Sequence, residues 1–220
     1  MNFCVFKQIN VSKIISVSSV FIFITFGFTI TGRSKTIDYP WTISASLGYA
    51  DYQYVHRGDH ITAAGRFAIG RDLLIKGPAL FGLEIGLQSG NQMRLQMTEE
   101  EIDALGGLLV KTTLKPMVDA LATMRITPKL TAPLFLQLKA GGAYRQWQMD
   151  RDTINDISQL AGEIMAGCGY TITPNASITL SYQGIFGAKP DFTIDLESGI
   201  GHVQNIPIQH AVLLGIILMI

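Results

Sequence analysis

Between Trp41 and Ile220 one small pattern recurs about eight times: some ten residues alternating large apolar with small or polar, then a break. The first copy, Trp41-Thr42-Ile43-Ser44-Ala45-Ser46-Leu47-Gly48-Tyr49-Ala50, puts Trp, Ile, Ala, Leu and Tyr at odd positions and Thr, Ser, Ser, Gly and Ala at even ones. A period of two describes a strand with two unlike faces. About ten residues is the length a tilted strand needs to cross a bilayer, and aromatic residues at both ends of the apolar face suit two membrane–water interfaces. The pattern predicts strands at about 41–50, 61–70, 79–88, 117–126, 134–145, 159–172, 177–186 and 208–220. All eight prolines, at 40, 78, 116, 128, 133, 174, 190 and 207, lie outside these spans. That is expected where every strand is paired on both sides, because proline lacks the ladder donor.

The breaks alternate in size. Residues 51–60, 89–116, 147–158 and 187–207 are long and polar, whereas 71–78, 127–133 and 173–176 are short and contain proline. Long outer loops alternating with short periplasmic turns are the habit of outer-membrane barrels. Seven charges fall inside the predicted strands: Arg66, Glu84, Asp119, Arg125, Lys139, Arg145 and Glu163. Each lies opposite an apolar face, such as Phe81, Leu83, Ile85 and Leu87 opposite Glu84, or Leu134, Leu136 and Leu138 opposite Lys139. Arg or Lys facing lipid at mid-depth costs about 2–4 kcal/mol, so these groups are assigned to the lumen, where they need partners of opposite sign. Arg66 with Glu84, and Lys139 with Glu163, stand on neighbouring strands and predict a balanced lumenal ion-pair cluster that plugs the barrel. The last segment, 209–220, is apolar on both faces. As the closing strand it directs Val212, Leu214, Ile216, Leu218 and Ile220 outward and Leu213, Ile217 and Met219 inward.

Upstream, Lys7 and Lys13 precede the apolar run Ile14–Phe28, and no acid occurs among residues 1–32. This is the layout of a secretory signal peptide, with cleavage expected near Thr31-Gly32, although no A-x-A site is present. Its removal leaves 15 basic against 17 acidic residues, a net charge of −2, and a mature domain over 33–220. Nothing in that balance resembles the basic footprint of a nucleic-acid binder. Cys4 falls in the leader and Cys168 is alone in the mature chain, so no intramolecular disulfide is expected.

A leader, eight amphipathic strands, short turns and a closing strand together resemble the small outer-membrane β-barrel proteins of Gram-negative bacteria, the OmpA/OmpX-like and opacity-protein-like eight-stranded barrels. The resemblance covers residues 41–220 and includes Ala140-Gly141-Gly142-Ala143-Tyr144, Ala166-Gly167-Cys168-Gly169-Tyr170 and the turn Thr173-Pro174-Asn175-Ala176. Members of that group usually end in an aromatic residue, where this sequence has Met219-Ile220. The expected fold is therefore all-β: an eight-stranded antiparallel up-and-down transmembrane barrel preceded by a signal peptide. The resemblance implies location in the bacterial outer membrane, contact with outer-membrane lipid, lipopolysaccharide and the barrel-insertion machinery, and a monomer. It further implies a structural or surface-display role, adhesion or host contact, through four extracellular loops.

Eight strands leave room for side chains rather than an open channel, so a general porin is not expected. Some barrels of this size resemble enzymes acting on lipid A or surface peptides. Candidates here are His56, Asp59, His60 and Ser89, or His202 and His210, with His60 and His210 close if the first and last strands adjoin. No His-x-Ser-Asn run accompanies them, so the expectation is no enzyme, no cofactor and no metal. A secreted lipocalin-like barrel is a further alternative, and it requires apolar side chains inside rather than out. In the second long loop Thr98 and Glu101 fit a capping box and Gly106 a helix stop, which predicts a short surface helix.

Overall fold

A computed structural model describes residues 41–220 apart from 57, 105, 129–132 and 196–199. The expected leader over 1–32 lies outside these residues. The described strands are β1 (Trp41–Tyr52), β2 (Ile61–Lys76), β3 (Ala79–Gln88), β4 (Asn91–Arg94), β5 (Lys111–Leu114), β6 (Met117–Ile126), β7 (Leu134–Met149), β8 (Ile157–Thr173), β9 (Ala176–Ile185), β10 (Asp191–Asp195), β11 (Ile200–Gln204) and β12 (Gln209–Met219). A helix α1 (Glu99–Ala104) lies between β4 and β5.

Eight of these strands close on themselves in the order β1-β2-β3-β6-β7-β8-β9-β12, each antiparallel to both neighbours. The seam is β1 against β12, with Thr42 facing Met219 and Tyr52 facing Gln209. Beyond the paired strands, Trp41 N donates to Ile220 O at 3.0 Å and Ile220 N to Trp41 O at 2.9 Å. Closure removes every free edge, the one arrangement of a β-sheet that satisfies its backbone groups without water. Gly48 lets the seam close tightly: a Cβ there would stand 1.8 Å from Val212 O. At the short-turn end Gly77, with φ 61°, begins the two-residue Gly77-Pro78 hairpin between β2 and β3, a position where glycine is favoured.

The two faces partition as the alternation predicts. Leu47, Ile85, Leu160 and Leu214 are among the large apolar side chains that point outward and lie exposed, while Arg66, Glu84, Asp119, Lys139, Arg145 and Glu163 are buried inside. On β12 Val212, Leu214, Ile216, Leu218 and Ile220 face out, and Leu213 and Ile217 face in. Exposed aromatics mark both rims: Trp41 and Tyr170 toward the short turns, and Tyr49, Tyr144, Tyr182 and Phe186 toward the long loops. Arg71 lies over the Trp41 ring, 5.4 Å from its centroid. From Trp41 to Tyr49 the chain rises about 26 Å along the strand.

Four strands run further than the alternation suggests, β1 by two residues to Tyr52. The predicted turn 71–78 is mostly strand, because β2 continues to Lys76. A register shift between Asp72 and Leu74 inserts a residue and breaks the period of two. β7 and β8 extend past the predicted 145 and 159 toward the long-loop end, to Met149 and from Ile157.

Candidate functional site

The lumen is built from side chains that reach across it rather than along its wall. Arg66 on β2 donates from Nε to Asp119 Oδ2 at 2.9 Å and from Nη2 to Asp119 Oδ1 at 2.5 Å. Its Nη1 lies 2.8 Å from Glu84 Oε1 on β3. Lys139 on β7 donates to both Glu84 oxygens, at 2.9 and 2.8 Å. Two cations and two carboxylates thus form one chain, Asp119–Arg66–Glu84–Lys139, through β6, β2, β3 and β7. The bidentate Arg66–Asp119 fork is the strong form of such a contact.

This corrects one expected pairing. Lys139 pairs with Glu84, and Glu163 accepts instead from Gln183 Nε2 at 2.7 Å. The register explains it: Lys139 faces Met165 on β8, two residues from Glu163, which faces Gly141. Asp119, on the predicted lumenal face but outside the expected cluster, takes the place of Glu163. Gln183 also donates to Gln88 Oε1 at 2.8 Å, and Gln137 to Ser181 Oγ at 2.6 Å. Below the ion pairs, a cavity of about 20 Å³ is bounded by Thr42, Asp72, Glu84, Gln137 and Lys139 among others, space for a single water.

Above the polar layer the long loops fold into an apolar cap. Val55, Met93, Leu95, Val110, Leu114, Ile154, Val203 and Ile206 from the loop segments pack with lumenal Tyr52, Leu121, Trp147 and Leu213 in one buried cluster. β4 and β5 form a hairpin that joins the main sheet through β5 and the end of β7, Leu114 facing Trp147. β10 and β11 pair in the last loop, and Asn155 of the third loop exchanges hydrogen bonds with Val203 at 2.8 and 3.2 Å. Sequence reasoning treats these loops as polar and misses the cap. Its signal is present in the alternation Met93-x-Leu95-x-Met97.

The first loop is clamped onto this cap. Val55 bridges Leu95, and Asp59 takes Arg94 Nε at 2.6 Å, Nη2 at 2.9 Å and the backbone N at 2.9 Å. The hydrogen bonds from Arg94 hold the Asp59 carboxyl below its ordinary value. A depressed carboxylate stabilises the fold above its unfolded value and loses that contribution as pH falls through the folded one. Asp59→Asn is therefore expected to lower the hydrogen-exchange protection factors of the 53–56 and 58–60 amides at neutral pH to the values that wild type falls to only under acid, below the usual carboxylate range. The barrel amides are expected to stay unchanged in the same measurement. Between these anchors Tyr54 adopts φ 64°, a left-handed backbone costing about 1–2 kcal/mol for a residue with a Cβ. The bend turns the chain from the barrel wall, where Gln53 N donates to Ile208 O, onto the cap at Val55.

No protein-family model and no curated protein matches this sequence. Solved structures do. OprG from Pseudomonas aeruginosa aligns over 86% of this chain and 98% of its own, with 11% identity and a TM-score of 0.50. This chain has the fold of the small outer-membrane barrels. Neisserial surface protein A covers 82% of this chain and 97% of its own at 11% identity and a TM-score of 0.47. Ail of Yersinia pestis, solved with the heparin analogue sucrose octasulfate, covers 84% and 100% at 13% identity and a TM-score of 0.47.

In this small-barrel fold the residues proposed for chemistry are dispersed. His210 stacks on Tyr182 and contacts Gln53, with ring nitrogens 2.5 Å from Tyr182 Oη and 3.0 Å from Gln53 Nε2. It does not sit beside His60 as expected: β1 runs between them, with Asp51 facing both His210 and Ile61. His56 Nδ1 accepts from Gly58 N at 3.2 Å, Ser89 Oγ from Gly65 N at 3.0 Å, and Asp59 belongs to the Arg94 clamp. His202 lies on β11 opposite Thr193. Cys168 is exposed on the outward face of β8. No group of three or more His, Cys, Asp or Glu suited to a metal occurs among the described residues. The expected helix is α1, where Thr98 N donates to Glu101 Oε2 at 2.7 Å and Glu101 N to Thr98 Oγ1 at 3.3 Å.

Proposed function

We propose that the protein is an integral outer-membrane barrel whose lumen is plugged and whose long-loop end faces outside the cell in a non-enzymatic surface role. One observation carries the reading: Arg66, Glu84, Asp119, Lys139, Arg145 and Glu163 are buried inside, while Leu47, Leu83, Ile85, Leu136, Leu160 and Leu214 stand exposed outside. In water that partition discards most of the hydrophobic driving force; in a bilayer it is the stable one. A lipocalin-like barrel needs the opposite arrangement. The Asp119–Arg66–Glu84–Lys139 chain and the apolar cap supply two consecutive obstructions to solute flow, in keeping with a barrel of eight strands. A cap with its own buried core suits a fixed display surface better than four mobile loops.

The test combines fractionation, gel migration and conductance. The protein is expected in the outer-membrane fraction, to migrate differently with and without boiling, and to give no steady current step in a planar bilayer. A soluble mature protein would refute the membrane location. A stable porin-like conductance would refute the plug. Adhesion specifically requires that cells carrying the protein bind host cells or matrix above cells lacking it, and equal binding removes that role.

A further inference from the structure

Tyr54 stands where its backbone favours glycine, yet it carries a large side chain that is 44% exposed. The bend explains the left-handed backbone; it does not explain the phenol. That ring borders an open groove of about 660 Å³ on the long-loop rim, lined by Asp51, Tyr52, Gln53, Tyr54, Val55 and His60. Gln53 continues the rim to His210 and Tyr182. An amide nitrogen only donates, so His210 Nε2 accepts from Gln53 and its proton resides on Nδ1. That proton goes to Tyr182 Oη, which leaves the Tyr182 hydroxyl hydrogen to point outward.

We propose that this rim binds a neutral saccharide ring: Tyr54 packs against its C–H face, Asp51 accepts from its hydroxyls, and the Tyr182–His210–Gln53 relay donates to them. An amphipathic ring of this kind combines flat apolar area with low loss of rotamer freedom. The hydroxyls of a sugar need acceptors and donors side by side, and the rim offers both. Among the described residues Asp51 is the one formal charge lining the groove, and its carboxylate repels anionic polymers. A groove of about 660 Å³ is the size of a small-ligand site, whereas a protein partner takes about 20–30 residues a side. The loop is also held ready: the backbone bonds of Tyr52 to His60 and Gln53 to Ile208, at 2.8 and 3.0 Å, and the Asp59–Arg94 clamp fix it before any ligand arrives, which lowers the ordering cost of binding.

The assignment of this rim to the outer surface rests on the membrane reading above, so the experiment reads folding and binding separately. The full chain, folded in lauryldimethylamine oxide micelles, is titrated with maltose, lactose and glucuronate by saturation-transfer difference NMR, and its unboiled gel migration is recorded on the same sample. Expected is binding of at least one neutral sugar, weaker binding of glucuronate, a loss of tenfold or more in Tyr54→Gly and retention in Tyr54→Phe. Tyr54→Gly is expected to keep the folded gel migration, since glycine relieves the left-handed residue. Lactose borne on a lipid in nanodiscs identifies the source: tighter binding than free lactose points to a membrane glycolipid, and equal binding to a soluble glycan. If neither neutral sugar registers with folded wild type, the proposal falls and the phenol is left to a protein partner. It falls equally if Tyr54→Gly binds as wild type does, or if glucuronate binds as tightly as the neutral sugars. Loss of the folded migration in wild type would instead sink the barrel reading.

Discussion

Arg66→Leu is expected to destabilise the folded barrel by about 3–5 kcal/mol, the usual consequence of removing one partner from a buried pair. Arg66 supplies both hydrogen bonds of the fork to Asp119, whose side chain is fully buried. Leucine leaves that carboxylate buried without its cation, while Glu84 keeps Lys139. The loss is read as a fall in the urea midpoint of unfolding in micelles, followed by the unboiled gel shift. Arg66→Leu combined with Asp119→Leu is expected to regain a substantial part, because an apolar pair of similar volume often replaces a buried ion pair at little cost. An unchanged midpoint in the single variant would show that the charge chain contributes nothing.

Leu214→Arg is expected to cost about 2–4 kcal/mol if the outward face meets lipid at mid-depth. Leu214 lies midway along β12 between Leu47 and Leu180, and 60% of it is exposed. Leu108, in the second long loop, is 68% exposed. Leu108→Arg is expected to change stability by no more than about 0.5 kcal/mol, as surface substitutions usually do. Two leucines of similar exposure thus distinguish hydrocarbon from water, by urea unfolding in phospholipid vesicles. Equal and small effects at both positions would mean that β12 faces solvent, and the membrane reading would fail.

The barrel was legible because its constraint is local. An inward and an outward face on a ten-residue strand are written in adjacent letters, as in Trp41–Ala50, and the prolines mark the ends. Even the doubly apolar last segment sorts correctly, with Val212 and Leu214 out and Leu213 in. Where the period is interrupted, the reading fails: the extra residue between Asp72 and Leu74 disguised the end of β2 as a turn. The charge chain was half legible for a related reason. Parity places Arg66, Glu84, Lys139 and Glu163 in the lumen, but partners are chosen across a narrow tube, between β2 and β6 or β3 and β7, and the shear that sets their heights is not in the letters of any one strand. The apolar cap escaped notice because its strands are four or five residues long and separated by polar stretches. Met93, Leu95, Val110 and Val203 gain their burial only by meeting one another.

The β1–β12 seam has a bearing on biogenesis. Thr42 meets Met219 and Trp41 meets Ile220, so the first strand of the barrel waits for the last before either has both of its neighbours. Every partly synthesised chain is an open ribbon with two bare margins, the condition most prone to intermolecular pairing. Such a ribbon cannot ripen gradually from its amino-terminal half. Its two margins meet only after β12 has been made.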